Sequence, residues 1–184
     1  SHLDGSVCGD YPRKLSIHGL WPNYFDGYPQ CCNASGNMIP LTPAEVAKWD
    51  IWPSLQEQWA DPTSSGECSV CYMLNHEWQK HGACYSRTPY EYFADTLALT
   101  ASIQDINTRL SSFEGQTVPT SSITALYPKA VNVMCDAFET PDTSTGLFLE
   151  IRTCWDRSMQ PMDCAASSAG QFGIPCPEYT TLRV

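Results

Sequence analysis

The chain has 184 residues, of which 42% are hydrophobic and 16% charged, and its formal net charge is −10. This length and apolar content suit one folded domain over residues 1–184 and exclude a disordered acidic tail. The acidic balance excludes a protein that follows long nucleic acids along a basic track, because counterion release at phosphates drives that binding. No apolar run is long enough to span a bilayer, and the start, SHLDGSVCGD, lacks the basic and apolar parts of a signal peptide.

Apolar periodicity and turn residues divide the chain into short elements of both kinds. In chain order they predict a strand at 11–20, a loop at 21–33, a helix that starts at Thr42-Pro43 and ends near Trp52-Pro53, a helix closing at Gly82, a helical region at 89–110, a short helix at 121–127, strands at 131–138 and 146–155, and a loop-rich tail. Helices and strands without regular alternation are typical of an α+β domain.

Ten cysteines are the strongest compositional feature of the chain. An even number spread along the sequence predicts up to five disulfide bonds formed in an oxidising compartment. The alternative is a zinc knuckle at Cys68-x-x-Cys71, but no second pair has a similar spacing, because Cys31 and Cys32 are adjacent. Asn33 opens an Asn-Ala-Ser sequon, which predicts glycosylation and agrees with a secretory route.

Ionisable side chains are concentrated in the segment HEWQKHG, residues 76–82. On a helix with about 100° per residue, all four of these side chains fall within an arc of about 140°. They are His76, Glu77, Lys80 and His81. A charged surface helix would explain any one of these residues, but explains the four together poorly.

Two kinds of chemistry compete for this segment. Zinc binding by a His-Glu-x-x-His motif needs histidines at i and i+4, whereas His76 and His81 are at i and i+5. Acid–base chemistry at a phosphate fits better, since histidine gives or takes a proton near neutrality and Lys80 supplies a fixed positive charge. A third histidine lies in SIHGLWPNY, where His18 precedes Gly-Leu-Trp-Pro.

Together the two segments resemble those of the T2 family of secreted acid ribonucleases. HGLWP at residues 18–22 is similar to the first active-site segment of that family, and HEWQKHG at residues 76–82 to the second. The adjacent cysteines and the acidic balance resemble the plant S-like members. The resemblance implies an antiparallel β-sheet core with flanking helices, stabilised by disulfide bonds. It implies the pairs Cys135–Cys176 and Cys154–Cys164, and a bridge from Cys31 or Cys32 to Cys84.

The resemblance also implies a metal-independent endoribonuclease with no cofactor. His81 would take the proton from the ribose 2′-OH and His18 would protonate the leaving 5′-oxygen, with a 2′,3′-cyclic phosphate as the first product and a 3′-phosphate as the second. His76, Glu77 and Lys80 would bind the phosphate and stabilise the transition state. The expected substrate is single-stranded RNA with low base specificity, and DNA is excluded because it has no 2′-OH.

The base site is where this chain departs from the family. Trp21 and Tyr28 are expected to stack on a base, and Asn23 stands where relatives commonly carry an acidic residue. The family's first strand, with its Gln-Trp-Pro segment, is expected upstream of the first motif and is not found in this sequence. We expect a monomer that is secreted or vacuolar/lysosomal and does not bind membranes. A catalytically weak ribonuclease-like storage or defence protein is the alternative function.

Overall fold

The computed structural model describes residues 15–23, 29, 32, 40–59, 69–138, 144–166 and 173–183. The chain forms two compact units, residues 1–102 and 103–184. Helices dominate the described part of the first unit, and the described β-strands lie in the second. The chain is therefore an α+β protein, as predicted. The expectation of a single domain over the whole chain stays a prediction.

Four helices and one 3₁₀ turn organise the described residues of the first unit. They are α1 (Pro43–Val46), α2 (Trp52–Gln58), α3 (Ser69–Lys80), the 3₁₀ turn Gly82–Cys84 and α4 (Pro89–Ser102). The two longest helices confirm the predictions for these segments, with α3 closing just before Gly82. A capping box starts α4, in which the amide of Thr88 donates to Glu91 at 2.9 Å and the amide of Glu91 donates to the Thr88 hydroxyl at 3.3 Å.

Two sequence predictions in this unit were wrong. Trp52-Pro53 begins α2 instead of ending a helix, because a proline without an N–H fits the first turn. The strand predicted at 11–20 is irregular backbone over residues 15–20, and residues 11–14 lie outside the described part. The alternation of apolar and polar residues in this segment reflects packing, since Ile17 contacts the core. The amide of Ile17 donates to the carbonyl of Gln58 at 2.8 Å.

An aromatic-rich core holds α2, α3 and α4 together. Its buried members are Val46, Leu55, Trp59, Leu74, Trp78, Tyr92 and Phe93. Trp59 and Tyr92 each pack an edge against the ring of Phe93, with centroids 5.1 Å and 5.0 Å apart. This packing buries one side of α3, the helix that carries most of HEWQKHG. A disulfide bond joins Cys32 to Cys84, just past that segment.

Where the structure describes it, the second unit contains α5 (Gln104–Leu110), a 3₁₀ turn (Ser111–Phe113), α6 (Thr120–Thr124) and seven strands. Five strands form one sheet in the order β1-β7-β3-β2-β6, and β4 pairs with β5. The strand bounds are β1 Thr117–Pro119, β2 Asn132–Cys135, β3 Thr145–Arg152, β4 Cys154–Trp155, β5 Pro161–Met162, β6 Ile174–Pro175 and β7 Tyr179–Thr181.

The sheet is mixed, which corrects the antiparallel sheet expected from the sequence. Strands β3 and β7 run parallel, while their other pairings are antiparallel. A parallel pair needs a long connection, and the chain between Arg152 and Tyr179 supplies it. The tail expected to be loop adds β5, β6 and β7. The helical region predicted at 89–110 is confirmed, but breaks at Ile103.

Disulfide bonds fasten the second unit. One joins Cys135 at the end of β2 to Cys176, and the other joins Cys154 in β4 to Cys164. These are the two pairs that the resemblance implies. Cys8, Cys31 and Cys68 lie outside the described residues. Among the residues that are described, no helix is both long and apolar enough to cross a membrane.

Candidate active site

The segment that carries His18 has no regular structure of its own and is held by two buried aromatic residues. The indole N–H of Trp59 donates to the backbone carbonyl of His18 at 3.1 Å. The hydroxyl of Tyr92 donates to the carbonyl of Leu20 at 2.8 Å and accepts from its amide at 3.2 Å. These bonds fasten the backbone on both sides of Gly19. Neither partner was predicted from the sequence, because Trp59 and Tyr92 are more than thirty residues away and have the pattern of ordinary core residues.

The second group of side chains comes from the C-terminal end of α3. The helix ends at Lys80, yet the amide of His81 still donates to the carbonyl of Glu77 at 3.0 Å. Glu77 is fully buried and His81 is 5% exposed, whereas the side chain of His76 is 45% exposed. The helix end therefore points one carboxylate and one imidazole inward and leaves a second imidazole accessible.

The carboxylate of Glu77 lies at the centre of the candidate site. Its Oε1 is 4.0 Å from Nε2 of His18 and 4.0 Å from Nε2 of His76. Its Oε2 accepts a hydrogen bond of 2.7 Å from the indole N–H of Trp21. A buried carboxylate needs such partners, since an isolated charge in the interior is strongly disfavoured. The first motif ends at Pro22 and the second begins at His76, 54 positions later. The side chain of Glu77 thus joins two motifs that are far apart in the chain.

The indole ring of Trp21 lies between the two inferred acid–base histidines. It stacks on the imidazole of His81, with centroids 5.1 Å apart and planes at 30°. It also meets the ring of His18 edge-on, with centroids 4.8 Å apart and planes at 78°. Trp21 therefore contacts three of the charged or titratable side chains of the site, where the sequence suggested only a surface for a base.

Burial and positive neighbours disfavour protonation of the second motif's histidines. Burial first, and then the charges of Lys80, His76 and His18, together lower the pKa of His81 to about 4. The pKa of His76 is also lowered, first by burial and then by Lys80 and His18. His81 is thus a neutral imidazole over the whole range from mildly acidic to neutral pH. Within the described part of the chain, its buried Nδ1 has no hydrogen-bond partner.

Gly19 makes the close approach of the two motifs possible. A Cβ atom at this position would overlap the Glu77 carboxylate and lie 2.5 Å from the indole nitrogen of Trp21. Real Cβ atoms do not come this close to other heavy atoms, and the packed interior leaves little room for adjustment. The requirement for glycine was missed in the sequence, where His-Gly-Leu indicates only a turn.

The remaining predicted site residues are less closely involved or lie outside the described part. Lys80 is half-buried at the end of α3, and its charge acts on both histidines of the second motif. Asn23 is exposed two residues after Trp21. Tyr28 and the glycosylation candidate Asn33 lie outside the described residues.

Comparison with known proteins agrees with the two motifs. The model of the "Ribonuclease T2 family" matches residues 4–164, which include both HGLWP and HEWQKHG. The chain belongs to the ribonuclease T2 family. This confirms the family resemblance seen in the sequence.

Relatives in the ribonuclease T2 family include plant and animal proteins. The chain is 40% identical to Ribonuclease 1 of Arabidopsis thaliana over 112 residues, which are 52% of this chain and 45% of that protein. It is 37% identical to Intracellular ribonuclease LX of Solanum lycopersicum, over 50% of this chain and 36% of that protein. The chain thus matches less than half the length of each. A match to Ribonuclease T2 of Sus scrofa is longer, at 26% identity over 85% of this chain and 80% of that protein.

Solved structures of S-like ribonucleases have the same fold. Ribonuclease MC1 from the seeds of bitter gourd superposes with a TM-score of 0.71 at 20% identity, covering 94% of this chain and 90% of that one. RNase NT in complex with 5′-AMP gives a TM-score of 0.71 at 21% identity, covering 95% of this chain and 85% of that one. At these identities the likeness establishes the T2 fold of this chain.

Proposed function

We propose that this protein is an endoribonuclease that cleaves single-stranded RNA through the 2′-OH of the ribose. The observation that supports this most directly is that His18 and His81 both contact the indole ring of Trp21, whose N–H donates to the buried carboxylate of Glu77. His81 is buried and neutral, while His18 has a side chain that is 51% exposed and lies 4.0 Å from Glu77. Two histidines in such different surroundings suit opposite roles in proton transfer.

In the first step, His81 takes the proton from the ribose 2′-OH, and the resulting oxygen attacks the neighbouring phosphorus. The bond from phosphorus to the 5′-oxygen of the next nucleotide breaks, and His18 gives that oxygen a proton. The products are a 2′,3′-cyclic phosphate and a free 5′-OH. In the second step the roles reverse: His18 takes a proton from water, the hydroxide opens the ring, and His81 returns its proton to the 2′-oxygen, which leaves a 3′-phosphate.

The charges around the two histidines fit these roles. The carboxylate of Glu77 lies 4.0 Å from Nε2 of His18, close to the positive charge that the proposed acid carries in the first step. His76 and Lys80 lie on the same helix end and are proposed to bind the phosphate and stabilise the additional negative charge of the transition state. No step in this scheme uses a metal, and no group of three or more potential ligands that could hold one occurs among the described residues.

Substrate and setting are proposed on the same basis. RNA is the substrate and DNA is not, because only RNA has the 2′-OH nucleophile. Low base specificity is proposed, with Trp21, Tyr28 and Asn23 at the base site. Disulfide bonds suit the secretory pathway, with secretion or a vacuolar/lysosomal location. A monomer and glycosylation at Asn33 complete the proposal.

Incubation with a dinucleoside phosphate in the presence of EDTA tests the function. We expect a ribodinucleotide to be converted first to the 2′,3′-cyclic phosphate and then to the 3′-phosphate, at the same rate with and without chelator. The matched deoxyribodinucleotide should stay intact. Failure to cleave the ribodinucleotide would favour the storage or defence alternative, and cleavage that stops only with EDTA would revive a zinc hydrolase.

The pH dependence of the reaction should show an acidic lower limb set by His81. The base must be unprotonated, and burial lowers the pKa of His81 to about 4. Activity is therefore present above this pH and falls about tenfold per unit below it. Because one histidine must carry a proton while the other does not, we expect the optimum in the mildly acidic range. A profile of kcat/KM from pH 3 to 8 measures both limbs. A lower limb near 6.5 would show that His81 is not desolvated in solution.

A further inference from the structure

The sequence predicts that Trp21 stacks on a substrate base. In the structure, its side chain also contacts two of the inferred reacting groups. Its indole N–H donates to Oε2 of Glu77 at 2.7 Å, and Glu77 is fully buried. The face of the same ring covers the imidazole of His81, with centroids 5.1 Å apart. One side chain from the first motif thus orients two side chains from the second.

Each contact has a separate physical effect. The N–H of Trp21 holds one carboxylate oxygen of Glu77, which directs the other oxygen to within 4.0 Å of both His18 and His76. The stacked ring excludes water from one face of the His81 imidazole and so maintains its neutral form. Stacking of a substrate base on Trp21 would require neither of these two effects.

We infer that Trp21 is a positioning residue for the proposed cleavage reaction, which fixes the Glu77 carboxylate by its indole N–H and shields the His81 imidazole by its ring. This inference rests on the proposed function for its kinetic consequences, but its structural consequences can be observed without activity. Loss of the indole N–H should therefore change the chemical step, while a phenyl ring at this position keeps an aromatic face for a base.

The test is Trp21→Phe, which keeps an aromatic face and removes the N–H. We expect kcat on a dinucleoside phosphate to fall roughly ten- to hundredfold, the range for losing a hydrogen bond to a charged acceptor. KM and the ratio of rates on substrates with different bases should change less than about twofold on this inference. Trp155→Phe is the matched control, since the indole N–H of Trp155 also donates to a side-chain oxygen, that of Thr153, at 3.1 Å. It should leave kcat unchanged.

Titration of the histidine ring protons by NMR supplies the readout that needs no activity. The groups facing His81 are Trp21, Lys80, His76 and His18. In Trp21→Phe the midpoint of His81 should move upward from about 4, because a smaller ring that no longer holds Glu77 admits more water. In Trp155→Phe it should stay in place.

The outcomes separate the inference from the proposed function. An unsubstituted protein that does not cleave RNA overturns the proposed function, and the titration of His81 still tests the inference. A Trp21→Phe variant with unchanged kcat, raised KM and altered base preference overturns the inference, because Trp21 would then act in base binding alone. If Trp21→Phe does not fold, the indole N–H signal of Trp21 in the unsubstituted protein decides. Slow exchange with solvent and a shift on Glu77→Gln support the inference, while rapid exchange overturns it.

Discussion

Replacing His81 or His18 with alanine should reduce kcat/KM for RNA cleavage by about 10²- to 10⁴-fold, the usual contribution of a general acid or base. His81 is the buried, neutral imidazole, and His18 is the more exposed one beside Glu77. Removal of either leaves one proton transfer without its group. The measurement is steady-state cleavage of a dinucleoside phosphate, with the folded state of each variant checked by circular dichroism.

His76→Ala is the matched control for these two substitutions. Its side chain is 45% exposed and lies 4.0 Å from Glu77, and we propose that it binds phosphate without moving a proton in the reaction. We expect a loss of about tenfold, mainly in KM, because a group that only binds the phosphate contributes less than a group that transfers a proton. The double variant with both His18 and His81 replaced should have nearly the same kcat/KM as the less active single variant. The effects of groups that act as a unit are not additive. A loss in His76→Ala equal to the other two would contradict the assigned roles.

Gly19→Ala should inactivate the protein although it adds only one methyl group. The new Cβ would overlap the Glu77 carboxylate and lie 2.5 Å from the indole nitrogen of Trp21. The backbone on either side cannot easily move away, because Trp59 and Tyr92 hold His18 and Leu20. Overpacking of this kind costs about 1–3 kcal/mol of stability. We expect activity to fall at least about a hundredfold, since small displacements of reacting groups have effects of this size.

Urea unfolding and cleavage kinetics measure the two parts of this prediction. The control is Gly173→Ala, where the nearest atom to an added Cβ is the flexible end of Leu149, at 3.1 Å. This variant should retain full activity and lose little stability. A Gly19→Ala protein with normal activity would show that the two motifs do not approach each other as closely in solution.

The predictability of the fold varied with the kind of signal. Capping residues and long apolar periodicity located α3 and α4 correctly, because both signals are local. The strand predicted at 11–20 failed over its described part, because the same alternation can pack against helices without pairing with another strand. The parallel pairing of β3 and β7 was missed because strand direction depends on how distant segments return to the sheet.

The chemical identity of the candidate site was determined by the sequence itself. The residue types in HGLWP and HEWQKHG predict proton transfer and phosphate binding, since protonation and charge are properties of individual side chains. The cysteine count likewise indicates disulfide bonds before any pairing is known.

The tertiary structure alone decided which histidine is kept neutral, what Trp21 contacts and why residue 19 is glycine. All three depend on burial and on distances between segments that are far apart in the chain. His18 and His81 are the same residue type, and only the surroundings that the fold creates lower the pKa of His81 to about 4. A sequence contains no such distances, because the core of Trp59, Tyr92 and their neighbours sets them by packing.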